Sequence, residues 1–272
     1  MLSVYITIGV FGTIIGSFLN VVIYRLHTGR SLDGRSHCMS CGKILSWREL
    51  FPVFSYMLLR GKCRGCEAYI PSRYFVVEVL TGLLFMLMWH VFSGDMLLLL
   101  LNLILVSLLV IIAVYDVRHT IIPDELSVGV GVIALAHVGY GYVIEQNTFE
   151  MLTSIVAGLG AGGFFAGLWY LSKGRWIGLG DAKLALPLGI IVGLGDAFSM
   201  VVLSFWVGAI LSLLALGVRY LAKKWKTHLR FTTFPRTMGS EIPFAPFLIL
   251  GFLLVHVFQV NIFDITYALF FW

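Results

Sequence analysis

Residues 97–115 read LLLLLNLILVSLLVIIAVY, and Asp116 follows at once. An apolar run of this length matches the roughly 20 helical residues, at about 1.5 Å each, that cross the hydrocarbon of a bilayer. Composition agrees, with 59% of the 272 residues hydrophobic and 12% charged, where soluble chains average about 45–50% and about 25%. Working outward from this run, similar ones lie near residues 4–24, 74–92, 126–144, 152–171, 183–195, 197–218 and 244–262. The expected fold is an all-α polytopic membrane protein of about eight transmembrane helices, since only a fully hydrogen-bonded backbone is stable in lipid. The first run is kept as a helix, because no Lys or Arg precedes it and no small-residue cleavage site follows before Arg25.

The 19 Lys and Arg side chains set the orientation. With the amino terminus outside, all of them fall on the cytoplasmic side, and the opposite loops carry acids such as Asp95, Glu145, Glu150, Asp196 and Asp264. Run 183–195 is short and holds Pro187. Reading it as re-entrant would move the cations of loop 219–236, Lys226, Arg230 and Arg236 among them, to the wrong side, so it is taken as a short crossing helix. Both termini are then periplasmic. The chain divides into helix 1 (1–24), a cytoplasmic loop (25–73) and a membrane core (74–272) with helices 2–8. The surplus cations of the cytoplasmic face, Arg30 included, suit anionic lipid headgroups, and no nucleic-acid partner is expected.

The loop holds all four cysteines as two CxxC knuckles, Cys38 with Cys41 and Cys63 with Cys66. That spacing suits one structural zinc ion in a tetrahedron of thiolates, and a reducing cytoplasm disfavours disulfides. A short polar loop cannot bury much of a core, so a bound metal would hold it folded.

Charges at the rim of a membrane helix mark candidate chemistry. The first is Asp116, which ends the run quoted above. The second is Asp181, in Gly178-Leu179-Gly180-Asp181, where the sixth run begins. Both fall at the same cytoplasmic depth. Two carboxylates brought together cannot both ionise cheaply, and a pair sharing one proton can activate water and protonate a leaving amide nitrogen. Gly178, Gly180, Lys183 and Asp124 support the pair, and Pro123-Asp124-Glu125 also reads as the first turn of a helix. Asp181 could equally cap its own helix. Gly193-Leu194-Gly195-Asp196 repeats the GxGD letters about 22 Å further along a helix, on the opposite side, and is read as a decoy.

These residues together resemble the type IV prepilin peptidases, bifunctional leader peptidases and N-methyltransferases of the GxGD class of membrane aspartyl proteases. The resemblance rests on Gly16 to Leu26, both knuckles, Leu59 to Cys63, Arg73-Tyr74 with Glu78, the Asp116 to Asp124 segment, Gly178 to Leu184, and Ile242-Pro243-Phe244-Ala245-Pro246. It implies removal of a basic leader from prepilins or pseudopilins of type IV pili and type II secretion, at the cytoplasmic face of the bacterial inner membrane. It also implies methylation of the new terminal amine with S-adenosylmethionine. By matching position, the catalytic pair is Asp116 and Asp181, and Gly61 and Glu78 are candidates for methyl transfer. The chain departs from the common pattern at His27, Met39, Phe75 and Ala245. Two rivals remain, an ion-coupled transporter with a structural zinc loop and a zinc scaffold. A transporter would hold its acids near the midplane and in repeated halves.

Overall fold

The computed structural model of the chain describes residues 2–26, 34–224 and 243–264. Arg30, His27, Lys226, Arg230, Arg236 and Ile242 lie outside the described residues. The chain forms two compact units, Met1–Ile111 and Ile112–Trp272. Among the described residues the secondary structure is helical, apart from two isolated antiparallel bridges, His37 with Ile44 and Lys62 with Tyr69. The all-α expectation therefore holds. Among the described residues, six helices are long and apolar enough to cross a membrane.

The first unit contains α1 (Leu2–Arg25), α2 (Phe54–Leu58), α3 (Arg73–Phe92) and the start of α4 (Met96–His119). Helices α1 and α3 run antiparallel, because Gly9 meets Met86, Gly12 meets Phe85 and Gly16 meets Glu78. Between apolar helices in lipid there is no hydrophobic drive, so close backbone approach and hydrogen bonds hold the pair. At Gly16 that approach is tight, since an added Cβ would sit 2.8 Å from the Glu78 Cα. Polar bonds tie both ends. Tyr5 Oη lies 2.8 Å from His90 Nδ1, and Asn20 Nδ2 donates to the Tyr74 carbonyl at 3.0 Å. The Asp95 carboxylate accepts the N–H groups of Leu97 and Leu98, both at 3.0 Å, and so starts α4.

The second unit contains the end of α4, then α5 (Asp124–Glu145), α6 (Thr148–Ser172), α7 (Leu179–Val192), α8 (Leu194–Lys224) and α9 (Ala245–His256). Asn147 caps α6 after a left-handed Gln146, a turn of two residues that makes α5 and α6 neighbours. Helix α7 is the hub, packed against α5, α6, α8 and α9, and it buries Ala182, Leu184, Ala185, Pro187 and Leu188. Its 14 residues give a length of about 21 Å, short of the ~30 Å hydrocarbon. A helix interrupted by proline is tolerated at membrane depth when protein surrounds it. The run expected at 183–195 begins instead at Leu179 and stops at Val192, because Gly193 takes φ 81° and breaks the helix. Against α6 the packing leaves no spare room. A Cβ on Gly158 would overlap Ile190 Cγ1 and lie 2.6 Å from the Leu186 carbonyl oxygen.

Candidate active site and metal centre

Asp116 sits in the last turn of α4. The helix stops at His119 because Thr120 turns left-handed, at φ 52°, a conformation that costs a β-branched residue about 1–2 kcal/mol. The Thr120 N–H still bonds the Asp116 carbonyl, at 2.8 Å. Asp116 is 4% exposed. A carboxylate at the C-terminal end of its own helix meets an unfavourable dipole. The opposing contribution comes from α9, whose first residue, Ala245, donates its backbone N–H to Asp116 Oδ2 at 3.1 Å. The positive end of α9 thus faces this acid.

Asp181 is also buried, 7% exposed, and lies in the first turn of α7 with Gly178 as N-cap. Its carboxylate takes a hydrogen bond from the Gly178 backbone, half of a capping box, while its own N–H bonds the Gly178 carbonyl at 3.2 Å. Capping and chemistry are compatible here, since both need a carboxylate at a helix N-terminus. The charge of Asp116 acts directly on Asp181. Two acids separated by 64 positions of sequence (181 − 116, less one) are therefore brought together.

Gly180 explains how the two segments approach. A Cβ there would lie 3.1 Å from the Ile122 Cβ, so the GxGD turn packs directly on the stretch that joins Asp116 to Asp124. Asp124 is in the first turn of α5 behind Pro123, and Lys183 Nζ reaches its Oδ1 at 2.6 Å. The pair is exposed and clips α5 to α7. Asp196 lies beyond Gly193, at the other end of α7, where its Oδ1 accepts from Asn261 Nδ2 at 2.9 Å.

Two features escape sequence reasoning. The N–H of Ala245 is a main-chain donor with no side-chain signature; the flanking Pro243 and Pro246 are its only hint. His137 and His256 meet edge to face, with ring centroids 5.7 Å apart, although their spacing carries no ligand pattern.

In the first unit the four cysteine Sγ atoms lie within 4.8 Å of one another. Thiolates about 2.3 Å from a tetrahedral zinc are ~3.8 Å apart, and Cys38 Sγ and Cys66 Sγ are separated by 3.8 Å. The cluster could hold one metal ion. Each knuckle is closed alike. Cys38 N–H bonds the Lys43 carbonyl and Cys63 N–H the Ala68 carbonyl, both at 2.9 Å, and the residue after each second cysteine, Gly42 or Glu67, is left-handed. Backbone N–H groups of Cys41 and Ser40 hold the Cys38 thiol well below its ordinary range, at about 6, whereas Cys66, although the Ala68 N–H lowers it, is pushed up to about 12 by the neighbouring thiols, so the cluster's negative charge gathers on Cys38. Below the knuckles, Glu49 is taken up by Lys43 at 2.9 Å and by the N–H and hydroxyl of Ser46. Gly61 has φ 69° and packs on Tyr56. Glu78 accepts the Val53 N–H at 2.8 Å.

A model of the bacterial peptidase A24 N-terminal domain matches residues 10–92, and one of the type IV leader peptidase family matches residues 103–213. A prepilin leader peptidase/N-methyltransferase of Pectobacterium carotovorum is 31% identical over 247 residues, which is 78% of this chain and 83% of the relative. This chain belongs to the type IV leader peptidase family. A Myxococcus xanthus protein of the same name is 34% identical over 210 residues, and there the match covers 76% of this chain and 62% of the relative. This chain thus spans about three fifths of that relative's length. A third, from Klebsiella pneumoniae, is 33% identical over 196 residues, 67% of this chain and 82% of the relative. No solved structure matches. The leader peptidase match takes in Asp116, Asp124 and Asp181, while the N-terminal match takes in the cysteines, Gly61 and Glu78. The names of these relatives lend the transporter alternative no support.

Proposed function

We propose that this chain is an aspartyl endopeptidase of the inner membrane that removes the leader from prepilins or pseudopilins and then methylates the new N-terminal amine. The observation that carries the peptidase reading is the convergence of Asp116 and Asp181, both buried and each facing a helix N-terminus. In this reading one ionised carboxylate draws a proton from water, and the water oxygen attacks the scissile carbonyl. The other carboxyl gives its proton to the leaving nitrogen as the C–N bond breaks. The N-terminal dipoles of α7 and α9 keep a negative charge tolerable in a buried site. Gly180 lets the turn approach Ile122, Gly178 caps α7, and the Asp124–Lys183 pair fixes the register of α5 on α7.

Methyl transfer uses S-adenosylmethionine, which supplies an electrophilic methyl on a sulfonium. The amine lone pair forms the new C–N bond, the C–S bond pair stays on sulfur, and the nitrogen loses a proton to solvent. Zinc bound by Cys38, Cys41, Cys63 and Cys66 would hold the loop folded. The basic face lies in the cytoplasm against anionic lipid, with both termini periplasmic, and the apolar helix of the substrate docks from the membrane. The test is cleavage of a prepilin in membranes, read beside protein level. Asp116→Asn and Asp181→Asn each lose about 100-fold or more, the scale of a missing acid or base, and Asp196→Asn cuts normally. Full activity in Asp181→Asn would sink the assignment.

A further inference from the structure

The first unit holds a cavity of about 930 Å³ where the Arg25 end of α1 and the Arg73 end of α3 meet the cysteine loop. Small-molecule pockets span roughly 300–1,000 Å³ and combine an apolar lining with a few polar anchors. Here Asn20 and Tyr24 come from α1, Tyr56 from α2, and Phe75 and Glu78 from α3. Nothing in the chain resembles a glycine-rich nucleotide fingerprint, so any nucleoside must be held in some other way.

We propose that this cavity is the methyl-donor pocket, with the Glu78 carboxylate facing the sulfonium and the Tyr56–Phe75 ring pair offering a flat surface to the adenine. The proposal rests on the methyltransferase reading above. Tyr56 and Phe75 are stacked, with ring centroids 5.2 Å apart and planes at 30°. They form a rigid aromatic wall that joins the loop to α3. Two acids line the cavity, Glu49 and Glu78. Glu49 is paired with Lys43, whereas the Glu78 carboxylate accepts from the Val53 N–H and the Ser17 hydroxyl and, among the described residues, pairs with no cation, so Glu78 is the acid left to face one. It is half-buried and is aimed by its bonds. Glu78 Oε2 accepts the N–H of Val53, a β-branched residue at φ 63°, ψ −55°, and such strain persists only where surrounding structure enforces it. Arg25 and Arg73 line the same cavity and suit the carboxylate of the donor's amino-acid end. Cys38 and Cys63 also line it, so one wall of the pocket is the cysteine cluster itself.

The donor is a cation at sulfur, and its product, S-adenosylhomocysteine, is a neutral thioether of nearly the same shape. That difference gives a readout separate from turnover, namely calorimetric titration of the purified full-length protein with each compound. Glu78→Gln keeps an oxygen for Val53 and removes the charge. It is expected to weaken S-adenosylmethionine by about thirtyfold, as when one partner of a desolvated charge pair is lost, and to weaken S-adenosylhomocysteine by threefold or less. Phe75→Leu should weaken both compounds together. Prepilin cleavage should persist in both variants, and that also reports that they fold. Wild-type protein that methylates and binds donor, with both variants binding equally well, overturns the pocket and leaves the methyltransferase reading standing. Wild-type protein that neither methylates nor binds donor overturns both.

Discussion

Asp124→Asn separates a structural acid from a catalytic one. The Lys183 Nζ to Asp124 Oδ1 distance is 2.6 Å, with the two side chains 44% and 68% exposed. Coulomb's law at that distance in water gives about 1.6 kcal/mol. Holding two flexible side chains in one geometry and salt screening reduce exposed pairs to about 0.2–1 kcal/mol. If all of that loss appeared in the barrier, cleavage would fall by about fivefold at most. The expected order in a prepilin cleavage assay at matched protein level is therefore Asp124→Asn slightly slow, with Asp116→Asn and Asp181→Asn below about one part in a hundred. Lys183→Met should copy Asp124→Asn, and the double variant should be no slower than the worse single one. Raised ionic strength should shrink the difference from wild type. The reasoning fails if Asp124→Asn abolishes cutting while Lys183→Met leaves it intact, because Asp124 would then act on substrate rather than on Lys183.

Metal analysis of the purified protein should give about one zinc per chain, as a single four-thiolate site requires, and a fully active metal-free protein would contradict this. Ala245→Pro deletes the N–H that Asp116 accepts, and because Phe244 before it lies in the αR region that a following proline disfavours, the variant is read beside protein level and thermal unfolding. It should slow cleavage by about tenfold or more, the scale of a hydrogen bond to a charged group, whereas Ala245→Gly should be close to wild type. In Gly158→Leu the new side chain meets Ile190 and the Leu186 carbonyl. It should part α6 from α7 and cost about 1–3 kcal/mol or more, measured as a fall in thermal unfolding temperature in detergent.

Much of this was legible because membrane crossing imposes a length that sequence cannot disguise. The run at 97–115 emerged as α4, and Pro123-Asp124-Glu125 opened α5 as its cap chemistry implied. The cysteine spacing anticipated a cluster with one 3.8 Å tetrahedral edge. Boundaries near glycine were harder to place. The apolar letters of 183–195 continue smoothly through Gly193, whose positive φ cuts the helix there. What sequence could not carry was partnership across the chain. The bond from Ala245 to Asp116 joins positions 129 apart through a main-chain atom, and the contact of His137 with His256 depends on how α5 and α9 pack.

Asp116 and Asp181 each lean on an amide that belongs to the peptide chain rather than to any side group. Ala245→Gly would leave that support in place, since either residue contributes the same hydrogen. The centre admits a side chain only where space remains, as the buried Ala245 and the Gly180–Ile122 contact show. It should be unforgiving toward an imino acid at 178 or 245, the one kind of building block that arrives without that hydrogen.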